Sequence, residues 1–343
     1  MKAFVTLLIV ACQGVVALAQ DHDNKIPYLT KSLADNAINS VIVSTSAGGI
    51  KVSGQPGEAP RIEVYIQGNN NHELTKEEIQ KRLDEDYDMN IAVNGHELIA
   101  TVKHKHNLTN WNEGMSISFK IYVPEHVATD LHTSGGGIDL DNLTGNEHFT
   151  TSGGGLQLDK LHGTIFGHTS GGGIEVANSG DDLDLTTSGG GIEARHCEGK
   201  IRLSTSGGGL VLENLKGTIN AHTSGGGIEG NNIEGELVTG TSGGGIDLRE
   251  MACSLEATTS GGDLYAQMTK VGQYVKLHAS GSIDLKIPSK SGVNLDLSAG
   301  NIDDHILSGF NGEWERRHVN GSVNGGGSQV EAHASGDINV RYN

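Results

Sequence analysis

Residues 133–138 read Thr-Ser-Gly-Gly-Gly-Ile, and the segment returns with Ile or Leu in its last place at Thr151, Thr169, Thr187, Thr205, Thr223 and Thr241. The interval is 18 residues each time, and an eighth copy, TSGGDL, starts at Thr259 with the spacing unbroken. With no insertion or deletion across the units, each must fill the same geometric slot. A fixed period near 20 residues is the mark of a solenoid, in which one repeat is one coil stacked on the next.

With threonine as position 1, apolar residues recur at position 6 (Ile138, Leu156, Ile174) and position 8 (Leu140, Leu158, Val176). They recur again at position 11 (Leu143, Leu161, Cys197) and as pairs at 15 and 17, such as Leu183/Leu185 and Ile201/Leu203. A spacing of two is the strand period, so each coil is expected to hold two short strands, near positions 5–9 and 14–18. Triple glycine in every unit costs too much for a helix and suits a tight turn; a second turn is expected near position 13, where Gly145, Gly163, Gly199, Gly217 and Gly235 fall. Parallel pairing of coils at about 4.8 Å gives eight coils a length of roughly 40 Å. The apolar positions have no period of six, which argues against a left-handed hexapeptide helix, and crossover chirality favours a right-handed coil. The expected fold is all-β: a single-stranded right-handed parallel β-helix with 18-residue coils, two strands per coil, capped at both ends.

The ends depart from the repeat. Residues 1–19 (MKAFVTLLIVACQGVVALA) carry Lys2, an apolar run and Ala17-Leu18-Ala19, which reads as a secretory signal peptide. A lipoprotein signal at Cys12 is the alternative, opposed by the apolar run that continues beyond it. Residues 20–130 are expected to form an N-terminal β cap. It contains a degenerate first coil at 41–52, one short helix opened by the capping box Thr75-Lys-Glu-Glu78, and strands at 89–93, 97–103 and 116–123. Regular coils are expected over 131–304, and a C-terminal coil and cap over 305–343, with Phe310 and Trp314 as a plug. Residues 20–343 are read as one continuous domain, since no proline-rich or charged linker divides them.

The formal net charge of −18 argues against nucleic acid and against electrostatic attraction to anionic membranes. Beyond the signal the chain keeps Cys197 and Cys253, three coils apart, too far for a disulfide at roughly 14 Å. They are expected as buried small hydrophobes.

The outward position 7 brings Glu175 near Glu193 and Glu229 near Asp247 in adjacent coils. Stacked like charges repel, and calcium, which takes carboxylate oxygens, would relieve the repulsion. The competing reading is a solvated acidic face compensated by Arg195 and Arg249. Gly135-Gly-Gly-Ile-Asp139-Leu-Asp141 is out of phase with the calcium-binding nonapeptide. Histidines precede the threonine at His132, His168 and His222 but never in consecutive coils, and His104-Lys-His106 would put two imidazoles on one strand face. Both patterns are expected to be surface histidines, short of the usual three-ligand minimum. The serine of TSGGG is in every coil, whereas a nucleophile occurs once and needs a base. The glycines lack the lysine of a phosphate loop. No catalytic residue or cofactor is expected, and the mixed outward position 16 (His148, Phe166, Asp184, Arg202) argues against an ice-binding array.

The coils from Thr133 to Leu264, the strand Ser116–Pro124 leading into them, and the terminal Asn324–Gly327 and Ala334–Ile338 resemble a bacterial adhesin-type domain of unknown function. That domain is related to the auto-transporter adhesin head, or GIN domain, family. The resemblance covers roughly Ser40 to Val340 and implies a right-handed β-helix of the cell envelope or its exterior. It brings no catalytic residues to transfer. The expected function is therefore an exported, non-enzymatic scaffold that meets a surface glycan or protein through its side faces. The alternative is a polysaccharide-active β-helix enzyme working along the rod, which should break its repeat where the catalytic groups emerge.

Overall fold

The step from position 8 to position 11 breaks the strand period, the step from 11 to 15 skips one inward place, and the chain turns a corner at each. A computed structural model describes residues 26–69, 73–106, 114–303 and 307–343, so the expected signal peptide and Cys12 lie outside the described residues. At position 10 the backbone enters the left-handed region at Asn142, Lys160, Asn178, His196, Asn214, Asn232 and Glu250, with φ between 50° and 56°. Asparagine tolerates this region better than most residues, and it holds four of these seven corners. At position 13 Gly163, Gly199, Gly217 and Gly235 take φ between 105° and 126°, and Asp181 makes the same corner at 77°.

Between corners the coil is β ladder. Ile138–Thr151, Leu156–Thr169, Leu210–Thr223, Ile228–Thr241 and Ile246–Thr259 each run as one bent strand of 14 residues. In two coils the corner divides the ladder into the expected two strands, Ile174–Ala177 with Gly180–Thr187, and Ile192–Arg195 with Glu198–Thr205. All these pairings are parallel and in register at 18 residues, Leu156 opposite Ile138 and Leu210 opposite Ile192. Positions 6, 8, 11, 15 and 17 point inward, and their aliphatic columns are the core. Cys197 and Cys253 are buried free thiols within it, and burial raises them to about 11 and about 12 respectively.

The threonine at position 1 is buried in every coil from Thr133 to Thr259. Its hydroxyl donates to the position-4 glycine carbonyl of the preceding coil: Thr151 to Gly136 at 2.7 Å, Thr187 to Gly172 at 2.7 Å, Thr259 to Gly244 at 2.6 Å. The same oxygen accepts from the position-4 N–H of its own coil, as from Gly190 at 3.4 Å. A Cβ at position 4 would fall 2.0–2.8 Å from the glycine backbone of the coil before. Glycine there is a matter of space, not of φ.

At both ends the order in space departs from the order in the chain. The first coil, Ser40–Thr45 with Ile50–Gly54, lies between two later ones: Val41 faces Leu98 on one side and Thr129 on the other, and Ile50 faces Phe119 and Ile138. The outer coil, Glu97–His104 and Met115–Val123, is covered by antiparallel strands Tyr87–Asn94 and Arg61–Gly68, with Leu29–Ser32 beyond. The helix Lys76–Asp86 starts at the Thr75/Glu78 capping box and buries Ile79 and Leu83. At the other end the last segment of the chain, Ser328–Ala334 with Asp337–Tyr342, inserts beside Leu264–Ala279 and Ile283–Ile287. Val293–Ser298 and Asn301–Ile302 then stack outside it. The hairpin Phe310–Trp314 and His318–Val323 closes this end through antiparallel pairing to Val293–Ser298.

Thr187→Val removes a buried hydroxyl whose loss leaves the Gly172 carbonyl without that donor, and a destabilisation of about 1–3 kcal/mol is expected. Gly190→Ala is expected to cost more, since its Cβ would meet Gly172 O at 2.3 Å, and Gly189→Ala less, with its nearest atom at 3.1 Å. Urea unfolding midpoints would rank the three; equal midpoints for Gly189→Ala and Gly190→Ala would refute the close-approach account. Deleting residues 324–343 should strip one ladder partner from each of Leu264–Ala279 and Val293–Ser298, leaving open strand edges. Light scattering should then show more self-association than in the full chain.

Candidate functional site

Because the inward columns are spent on the core, chemistry is confined to the outward ones. On the face of positions 7 and 9 the register places Glu175 opposite Glu193 and Glu229 opposite Asp247, as the period required. Arginines stand in the same columns. Arg195 reaches Glu193, lies 2.9 Å from Glu213 and 3.7 Å from Glu175. Arg249 binds Asp247 through both ends of its guanidinium, at 2.9 and 2.8 Å. Lys51 meets Asp139 at 2.9 Å. In both acidic pairs a guanidinium of the chain supplies positive charge, in the places where Arg195 and Arg249 were expected to compensate the acidic face. Asp141 is pushed up by burial. Burial also opposes ionisation of Asp159, but hydrogen bonds from Asn178 and Lys160 outweigh it and hold this carboxyl low.

The face of positions 16 and 18 is different. Asp130 and His132 are alternate residues of the strand Ala128–Thr133 and so share a face, and His148 stands across from Asp130 on the next coil. Asp130 Oδ1 lies 2.9 Å from His132 Nε2 and 3.1 Å from His148 Nδ1. One ligand atom from each residue lies within 4.8 Å of the others, the single such group of three among the described residues. The His148 ring stacks on Phe166 at 5.3 Å and meets His132 edge-on at 5.7 Å. Phe166 is 44% exposed, rare for a large apolar side chain here.

Following the histidines down position 18 alone hides this group, because its other two members, Asp130 and His148, sit at position 16. The legible signal was Asp130-x-His132 with a histidine one period after the aspartate. A similar pairing arises at the far end, where the inserted last coil sets His333 opposite His278, rings 5.9 Å apart. His104 and His106 do not share a strand face: the strand ends at His104, whose ring packs on Tyr87 at 4.4 Å.

Directly inside the same two strands, Glu147 takes an inward place that is Ile165 in the next coil. It is 1% exposed; Thr129 donates to its Oε2 at 2.5 Å, and its Oε1 has no hydrogen-bond partner. Burial raises this carboxyl to about 7.

Two clefts mark the surface, an open one of about 850 Å³ against the helix, lined by Tyr28, Lys76 and Gln80, and one of about 630 Å³ along Gly217, Gly235 and Gly272. No helix among the described residues is long and apolar enough to cross a membrane.

A family model described as Toastrack DUF4097 matches residues 32–341, both inserted end coils included. The chain belongs to the Toastrack DUF4097 family. No curated protein matches it. Among solved structures, this Toastrack chain is similar to a candidate cell-adhesion protein from Clostridium sporogenes at 12% identity, covering 92% of this chain and 98% of that one, with a TM-score of 0.21. It is also similar to a candidate adhesin from Bacteroides fragilis (14% identity, 91% and 96% covered, TM-score 0.25). A third neighbour, from Parabacteroides distasonis, is a candidate adhesin too (10%, 91% and 96%, TM-score 0.28). Those names describe those proteins.

Glu147 gives a pH prediction. Its folded value lies above the ordinary 4.5, so the folded state binds the proton more tightly than the unfolded chain. Its stabilising protonation is complete below pH 4.5 and lost as pH rises to about 7, a change of ~3 kcal/mol. The stability difference between Glu147→Gln and the parent should shift in favour of the variant across that window, then level off. A pH-independent difference in urea unfolding would contradict the assignment.

Proposed function

We propose that this Toastrack chain is an exported, non-enzymatic rod that binds a surface glycan or protein along its side faces. The supporting observation is the contrast between columns. Inward positions repeat as aliphatics, whereas the outward column that runs Asp130, His148, Phe166, Asp184, Arg202 changes character at every coil. A frame this regular needs no such variety for its own stability, since exposed charges contribute little to folding. Export is part of the reading through the signal-peptide pattern of residues 1–19, as is kinship with the auto-transporter adhesin heads through Asn324–Gly327 and Ala334–Ile338. Calcium bridging Glu175 to Glu193, or Glu229 to Asp247, is the lesser alternative on this face, since it would have to displace Arg195 or Arg249 from the same carboxylates.

A glycan array probed with the full chain, with calcium and with chelator, tests it. Retention without turnover is expected, and Glu193→Gln with Asp247→Asn should reduce any calcium-dependent part. Release of shortened glycan would sink the non-enzymatic reading. Silence on glycans and on matrix proteins alike would leave only a structural role.

A further inference from the structure

We propose that Asp130, His132 and His148 form a binding site for a divalent d-block cation of the zinc class. The ligands would be Asp130 Oδ1, His132 Nε2 and His148 Nδ1, with a fourth position open to the outside. Both imidazoles already direct a nitrogen at one carboxylate oxygen, at 2.9 and 3.1 Å. Around a tetrahedral zinc with bonds of about 2.0–2.2 Å, neighbouring donor atoms lie about 3.3–3.6 Å apart. The group therefore reaches coordination geometry by side-chain adjustments well under the 4.8 Å that already encloses it. Three protein ligands with one open position is the usual pattern of a zinc site that exchanges its fourth ligand.

The backbone does most of the positioning. Asp130 and His132 are fixed two residues apart on one strand, and His148 is fixed opposite Asp130 by the parallel ladder. Stacking on Phe166 holds the His148 ring. The flanking positions add no competing cation. Ile42 and Phe166 border the Asp130/His148 pair, and Ser44 and Thr150 border His132. On the acidic face, by contrast, Arg195 and Arg249 already sit on the carboxylates. Two nitrogen donors select zinc, copper or nickel over calcium and magnesium, which take oxygen ligands. The open position would hold water, exchangeable for an anionic oxygen donor. Phe166 offers apolar contact beside it.

The site stands apart from the function proposed above, because its test needs no partner. Full chain freed of any histidine tag is titrated with zinc chloride by calorimetry. One ion per chain is expected, with micromolar affinity, unaffected by millimolar calcium. Cobalt in place of zinc should give the intense visible absorption of a four-coordinate site. Asp130→Asn and His148→Asn should each weaken zinc at least tenfold, and His132→Ala with His148→Ala should abolish it. Glu175→Gln with Glu193→Gln should change nothing. The three ligands are about half exposed, so the variants should keep the parent's circular dichroism and melting point. Absence of saturable binding below a millimolar, or binding undiminished in the double histidine variant, overturns the proposal.

Discussion

The hydrogen bond from each position-1 threonine to the glycine carbonyl one coil back is the contact on which the rest of the rod depends. It fixes two things at once. The hydroxyl, donating backward and accepting from its own coil, pins the turn of one coil onto the turn before it. The carbonyl can approach only because position 4 has no Cβ. A single bond of this kind is worth about 1 kcal/mol net, but an unmet carbonyl in the same place costs as much again or more. Repetition makes the constraint strict: lengthening any unit by one residue would move its threonine off the carbonyl and turn every inward side chain outward. The coil at Leu264–Ala279 shows what escape requires. It carries two extra residues, and its pairing with Ile246–Thr259 shifts register between Leu248 and Leu255 before the ladder resumes.

What this edge does for the fold removes it from consideration as a reactive loop. The serines beside the threonines, from Ser134 to Ser260, are exposed, but every coil has one, and so none is distinguished. Distinction arises on the two side faces, and they differ in how their charge is met. On the acidic face, Arg195 serves three glutamates and Arg249 holds Asp247 by two bonds. Such exposed pairs are worth less than about 1 kcal/mol each, so they shape the field of the rod more than its stability. On the other face, Asp130 is met by two imidazoles and by no lysine or arginine at the flanking positions. Neutral imidazole can pass its lone pair to a metal ion; guanidinium cannot.

Local signals were legible in the sequence. Thr75 and Glu78 sit within one helical turn, so the capping box announces its helix without help from the rest of the chain. The aliphatic columns follow from period alone, since in a solenoid the contact partner of residue i is residue i+18. The corner at position 10 was also written there, in Asn142, Asn178, Asn214 and Asn232, but at uneven intervals that a search for apolar period passes over. Glu147 was hidden in an inward slot that the later coils fill with Ile, Leu or Val. The His–Asp group needed two outward columns read together. What no period could show is the insertion of the end coils, because Val41 meets Thr129 and Leu277 meets Ala332 across long intervening segments.

Those insertions answer a problem that a regular stack cannot solve by itself. In a quasi-one-dimensional array each repeat is stabilised by its neighbours, so a terminal repeat has half the support of an internal one and frays first. Here the first and last coils of the chain each sit between two others. Freeing either inserted coil therefore requires two ladders to break instead of one. The coils that do face outward are tied at both of their own ends to the interior of the chain. Their exposed edges are then covered by antiparallel strands, Arg61–Gly68 and Tyr87–Asn94 at one end and the hairpin through Trp314 at the other. The threonine contact sets the spacing along the rod, and the two inserted coils keep that spacing from being lost where it would fail first. With both secured by backbone pairing, the side chains on the two faces are left free to vary.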